Sequence, residues 1–142
     1  MPQEFDFAQL IAAAGDAIVV SDPAGAILVW NPAAERIFGY SAEEALGQSL
    51  DLITPERQRQ RHWDGYHKTM RTGQTRYGTQ VLRVPALHKD GRPLSIAFTV
   101  ALLHGADGAV TGIAAIIRDE TARWNEERQM RRRLAELEAP VS

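Results

Sequence analysis

The chain is 142 residues long, a single domain's worth, and its 16 basic against 18 acidic side chains leave a net charge of −2, so no global field draws it to nucleic acid or an acidic membrane. It has no cysteine, which excludes disulfides, thiolate metal sites and any thiol nucleophile, and fits a cytoplasmic setting. The start, MPQEFDFAQLIAAAGD, is acidic and lacks the basic region of a signal peptide, and no apolar run nears the ~20 residues that span a bilayer.

Phe7, Leu10, Ile11 and Ala14 recur at spacings of three and four, which predicts a short amphipathic helix ended by Gly15. Two β-rich runs, Ala17–Ser21 and Ala26–Trp30, flank the turn DPAG and predict a hairpin. Asn31 before Pro32 reads as an N-cap with proline at the first helical position; Ile37 and Phe38 form the apolar side and Gly39 the stop. Ser41-Ala-Glu-Glu44 is a capping box opening a second short helix, which Gly47 ends. Thr54-Pro-Glu56 opens a third helix, which carries RQRHWDGYHKTM (residues 59–70) and stops at Thr72-Gly73.

Beyond it the pattern turns to strand. Val81–Leu87 is a β candidate with Pro85 inside it, which points to an edge or a bulge. After the turn KDGR, the run PLSIAFTVALL alternates strictly, with Leu94, Ile96, Phe98, Val100 and Leu102 on one face. GADGAV makes another turn and Val110–Ile117 a last strand. The charged tail DETARWNEERQMRRRLAELE reads as a long helix capped by Asp119 or Thr121. The order is α+β with an antiparallel sheet.

With these residues, the chain resembles a PAS sensor domain. DAIVVSDPAGAILVWNPAAERIFGYSAEEALGQSL is similar to the family's opening, with its N-x-A-x5-G-Y-S-x-x-E core. HKDGRPLSIAFTV is similar to its K-D-G turn and following strand, and GIAAIIRDET to its closing strand and R-D-x-T exit. The resemblance covers about residues 6–121 and implies a five-stranded antiparallel sheet in order 2-1-5-4-3, with short helices over one face. It divides the chain into a cap helix (1–15), a PAS core (16–121) and a coiled-coil-like signalling helix and tail (122–142). A concave apolar face under short helices suits a small ligand, but the family's fold does not name it: members bind haem, flavin, organic acids or nothing.

In two haem-binding types, an oxygen-sensor histidine kinase and a haem-regulated phosphodiesterase, the iron-binding histidine stands on the third helix, 28 residues before the aspartate of the K-D-G turn. That position here is His62, counted from Asp90. The resemblance therefore implies haem b held by His62, with Leu82, Val84, Ile96, Phe98, Ile113 and Ala115 lining the pocket by strand alternation. The chain departs from those types in two places. Tyr66 falls one residue late, and the position of their distal arginine is Leu82, with Arg83 turned to the opposite face. Carbon monoxide or nitric oxide would then be favoured over oxygen.

Two other readings stay open: another small ligand, or a filled core with no cofactor. His62 and Tyr66 share one helix face, whereas Trp63, His67 and Met70 share another; if Trp63 and Met70 face in, His62 lies at the margin. His67 is the weaker ligand candidate, and His88 in a turn and His104 in a loop read as solvated. Asp16 and Asp22 read as turn-ordering residues rather than an acid pair, and RQMRRRL as a coiled-coil flank rather than a nucleic-acid patch, because five glutamates share its helix. Met130, Leu134 and Leu137 form a short d-a-d seam, and Phe5 and Phe7 add apolar surface, so a homodimer is expected. Asp119 and Thr121 are the expected signal-relay residues at the exit.

No phosphate loop, catalytic triad or metal cluster is present in the sequence, so no enzymatic activity is expected. The expected function is a cytoplasmic sensor or signal relay acting on a partner kinase or regulator, without nucleic-acid or membrane contact. The competing expectation is a ligand-free dimerisation module. With Ser142 as the last residue, no attached output domain is expected.

Overall fold

The computed structural model describes residues 4–75 and 79–139. In chain order it contains α1 (Phe7–Ala13), β1 (Ala17–Ser21), β2 (Ile27–Trp30), α2 (Pro32–Phe38), α3 (Ala42–Ala45), a 3-10 turn (Leu50–Ile53), α4 (Glu56–Thr72), β3 (Leu82–Leu87), β4 (Pro93–His104), β5 (Val110–Asp119) and α5 (Thr121–Glu138). The strands form one antiparallel sheet in the order β2-β1-β5-β4-β3, as the family resemblance implied. Pro85 lies in β3, an edge strand, where its missing N–H costs no ladder bond to a further neighbour. Of the terminal segments expected at 1–15 and 122–142, residues 1–3 and 140–142 lie outside the described residues.

Local signals set the helix starts. The Asn31 side chain accepts from the Ala34 amide at the start of α2, and α2 ends at Gly39 in the left-handed region (φ 83°). Asn31 also reaches further. Its Oδ1 accepts from the Ile18 amide (2.9 Å) and its Nδ2 donates to the Ile11 and Asp16 carbonyls (2.9 and 3.1 Å). One buried amide thus joins α1, β1 and α2 with its hydrogen-bonding capacity met. Ser41 and Glu44 make the reciprocal capping box at α3. Behind these helices Phe38, Ile27 and Val19 are fully buried, and the Trp30 and Phe38 rings lie 5.4 Å apart.

Several expectations are corrected. The start expected at Thr54-Pro-Glu56 holds, with α4 beginning at Glu56 without a side-chain cap, but a 3-10 turn not expected from the sequence precedes it, and the Thr54 hydroxyl donates to its Leu50 carbonyl (2.8 Å). His88 is partly buried rather than solvated: its ring fills the space that a side chain on Gly39 would take, and its Nδ1 accepts from the Asp90 amide (3.1 Å). The Lys89 amide donates to the Phe38 carbonyl (2.9 Å), docking the K-D-G turn on the end of α2. His104 ends β4 and is exposed, so it belongs to a strand and not to a loop.

The exit is also built differently. Residue Glu120 precedes α5 without a side-chain cap bond. Instead Asp119 Oδ1 accepts from the Thr121 amide (2.9 Å) and hydroxyl (2.5 Å), and Thr121 Oγ1 in turn accepts from the Ser95 amide (3.0 Å). The Glu120 amide donates to the Ser95 carbonyl (2.8 Å). Asp119 and Thr121 therefore clamp the helix start to β4 rather than cap it separately.

Candidate functional site

Residues paired directly across an antiparallel ladder share a face. Leu82 pairs with Phe98 and Val84 with Ile96; Phe98 pairs with Ile117, Val100 with Ala115 and Leu102 with Ile113. On β1, Ser21 pairs with Ile113 and Val19 with Ala115. The six expected lining residues, Leu82, Val84, Ile96, Phe98, Ile113 and Ala115, thus stand on one face, the same face as buried Val19 and Ser21. Ile96 and Ile113 are buried, whereas Val84 is 38% exposed because β3 is the open edge, so it forms the rim of the site and not its wall.

The orientation of α4 follows from Tyr66, which is only 7% exposed. Its hydroxyl lies 2.9 Å from Ser21 Oγ and donates to the Asp22 carbonyl. A carbonyl can only accept, so the Tyr66 proton goes to Asp22 and the Ser21 hydroxyl donates to Tyr66. Trp63, three residues earlier, packs against the β1–β2 turn at Gly25 (φ 87°), and its Nε1 donates to Asp51 Oδ1 (2.8 Å). The turn itself is held by Asp22 Oδ1, which accepts from the Ala24 and Ala26 amides (both 2.9 Å). Asp16 pairs separately, with Arg118 (3.2 Å).

The inward face of α4 is therefore the one carrying Tyr66 and, at successive turns before it, His62 and Gln58. Trp63 lies beside that face and His67 is exposed. The His62 ring sits 4.8 Å from Trp63 and 5.7 Å from Tyr66, centroid to centroid. Its Nδ1 is buried with no hydrogen-bond partner among the described residues, and the same holds for Gln58 Oε1 one turn earlier. Burial holds the His62 imidazole below the usual histidine range, against the pull of Asp51 and with a small push from His67. A buried imidazole with an unused nitrogen, its neutral form favoured by burial, is chemically competent to ligate haem iron or to bond a polar ligand.

Arg83 pairs with Ala97 on the opposite face and is exposed, and its Nε lies 3.5 Å from Glu120 Oε2. It offers nothing to the inner face, as alternation implied. The five expected dimer residues, Phe5, Phe7, Met130, Leu134 and Leu137, are all exposed. Gln58 was missed from sequence although its spacing of four from His62 put it on the same face. Ser21 and Asp22 were missed as partners of Tyr66 because nothing local marks a contact 45 residues away.

Comparison with known proteins agrees with this architecture. A family model described as the PAS fold matches residues 6–119. The chain is 33% identical over 128 residues to the sensor protein FixL of Bradyrhizobium diazoefficiens, covering 89% of this chain and 24% of FixL. It is 28% identical over 118 residues to the oxygen sensor protein DosP of Escherichia coli, covering 81% of this chain and 14% of DosP. It spans less than a quarter of the length of these curated relatives. Among solved structures, the PAS domain of a protein from Colwellia psychrerythraea superposes with a TM-score of 0.71 at 28% identity, covering 82% of this chain and 95% of that one.

Proposed function

The chain belongs to the PAS family of sensor and signalling domains, and we propose that it senses a ligand held between α4 and the inner face of the sheet, with haem b as that ligand and His62 as its axial residue. The observation that carries the reading is the buried, unpartnered His62 Nδ1 on the inward face of α4. Leaving a polar atom buried and unpaired costs about 1–3 kcal/mol, a cost that a bound group can remove. The likeness to two sensor proteins, one of them named for oxygen, supports the same reading.

Bound haem would supply a site for a diatomic gas. This chain's own residues then favour carbon monoxide or nitric oxide over oxygen. Leu82 brings no donor to the inner face and Arg83 faces away, so oxygen lacks a charge-assisted hydrogen bond worth about 1.5–3 kcal/mol. Ile96, Phe98, Ile113 and Ala115 share the inner face and would form an apolar wall for such a group. No helix among the described residues is long and apolar enough to cross a membrane. In this reading the protein works in the cytoplasm as a homodimer, catalyses nothing itself, contacts neither nucleic acid nor membrane, and relays its state through α5 to a kinase or regulator.

Titration of the purified protein with haem tests the ligand. The expected result is a Soret band that saturates at one haem per chain. His62→Ala abolishes or shifts it with native circular dichroism, and His67→Ala changes little. No defined stoichiometry, or identical spectra for His62→Ala and the parent, would reject haem. A second reading, a ligand-free dimerisation module, draws on the Tyr66 and Trp63 contacts, which already fasten α4 to the β1–β2 turn. A spectrum blank before and after haem addition favours it.

A further inference from the structure

Among the described residues, two buried side-chain nitrogen or oxygen atoms have no hydrogen-bond partner: Gln58 Oε1 and His62 Nδ1. Native chains leave such atoms rarely, so each asks for an account. These two are not scattered. They stand four residues apart in α4, on the face that also carries Tyr66, where residues one turn apart are neighbours. They are also complementary. A glutamine Oε1 only accepts, and a neutral imidazole donates from one of its two nitrogens. The torsions that aim them, the last of glutamine and the second of histidine, have broad minima and turn without backbone movement.

The other polar groups around this face are engaged. Asp51 Oδ1 accepts from Trp63 Nε1 (2.8 Å), with Arg59 Nε 3.9 Å away. Arg59, beside Gln58 in sequence, gives its Nε to the Thr54 carbonyl (3.1 Å). The Tyr66 proton goes to the Asp22 carbonyl, and the Ser21 hydroxyl donates to Tyr66. The Gln58 oxygen is left as the unspent acceptor one turn from the imidazole.

We propose that Gln58 is the positioning residue of the site: its Oε1 accepts from His62 Nδ1–H and so fixes the tautomer whose lone pair is on Nε2. In an imidazole ligand, the hydrogen bond made by one nitrogen decides which nitrogen meets the metal. Ligation through Nε2 and a bond to Gln58 call for the same tautomer, so each favours the other. A glutamine oxygen is neutral, so the imidazole gains basicity without facing the full negative charge that a carboxylate would impose. The proposal rests on the haem reading above and adds the residue that sets its histidine.

Two variants of the full chain test it. Gln58→Leu keeps the bulk and removes the acceptor; Gln58→Glu keeps the shape and adds a charge. Without haem, nitrogen-15 NMR of the histidine rings at about pH 8 reads the tautomer of the neutral form. The His62 signals are those missing from His62→Gln. The parent should carry the proton on Nδ1, and Gln58→Leu should lose that preference. With haem, the stretching frequency of the ferrous iron–histidine bond should rise and the midpoint potential fall in Gln58→Glu. Both should move the opposite way in Gln58→Leu, whose haem dissociation constant should rise about 10–100-fold. A packing role alone would shift both variants in one direction or neither. Either result, or a parent proton on Nε2, overturns the proposal. If Gln58→Leu does not fold, the parent tautomer and Gln58→Glu still decide. A parent that binds no haem fails the ligand reading, and the tautomer measured without haem still judges Gln58.

Discussion

Replacing Tyr66 by phenylalanine removes one oxygen and two hydrogen bonds. The hydroxyl donates to the Asp22 carbonyl and accepts from Ser21 Oγ at 2.9 Å, and Ser21 is itself buried. Phenylalanine keeps the ring packing against Trp63 and His62 but leaves the buried Ser21 hydroxyl without an acceptor, while the Asp22 carbonyl keeps only its bond from the Gly25 amide (2.9 Å). Such a loss costs about 1–3 kcal/mol. With a urea m-value of roughly 1–3 kcal/mol/M, the unfolding midpoint should fall by about 1 M with m unchanged. Ser21→Ala should cost less, because it removes a donor and leaves the Tyr66 proton bonded to Asp22. The double variant should cost less than the sum of the singles, since both remove the same Ser21–Tyr66 bond. Burial also raises the Tyr66 pKa, against the Ser21 bond and with the Asp22 charge. The unfolded chain therefore ionises first above about pH 10, and stability should fall from there in the parent but not from this source in Tyr66→Phe. A Tyr66→Phe midpoint within experimental error of the parent would refute the view that this hydroxyl holds α4 to the sheet.

Three further outcomes are expected. Because the folded His62 pKa is lowered chiefly by burial, the unfolded state binds its proton first; stability should fall as pH drops below about 6.5, and His62→Gln should flatten that limb in pH-dependent urea melts. An acid limb unchanged in His62→Gln would show that the cost lies elsewhere. Gly25→Ala requires a side chain at φ 87° in space held by the Trp63 indole; a loss of about 1–3 kcal/mol is expected, with altered tryptophan fluorescence, and a neutral effect would contradict the packing described. Asp119→Ala removes the acceptor of the Thr121 amide and hydroxyl; amide exchange in the first turn of α5 should speed up with the core unchanged, by an amount matching about 0.5–2 kcal/mol, and unchanged exchange would make the clamp unimportant.

Much of the fold could be read from sequence because its signals are local. Asn31-Pro32, the Ser41–Glu44 box and the alternation of β4 each state a conformation within a few residues. That alternation also put the six lining residues on one face. The 3-10 turn at Leu50–Ile53 was not legible: four residues carry no period, and nothing in the sequence shows that the Thr54 hydroxyl turns back to the Leu50 carbonyl. His88 looked solvated because its turn is polar, and the space it fills exists only where Gly39 comes close. Helix periodicity defined two candidate faces of α4 but could not choose between them. The choice is made by the β1–β2 turn, which takes the Trp63 ring beside Gly25 and the Tyr66 hydroxyl at Asp22. Gln58 sits on the chosen face and was not singled out, because without that choice nothing distinguishes it from the other polar residues of α4.

The two sides of β3 reach different destinations. Leu82 stands on the inner face opposite Phe98, while the next residue, Arg83, touches Glu120 at the root of α5. A displacement of that strand would move the Arg83–Glu120 contact as well. Such linkage runs equally in both directions: if a bound ligand alters the association constant of two α5 helices by some factor, joining them alters ligand affinity by the same factor. Affinity measured on a dilute protein and on a concentrated one would then differ, and the ratio would report the coupling without any knowledge of what lies downstream.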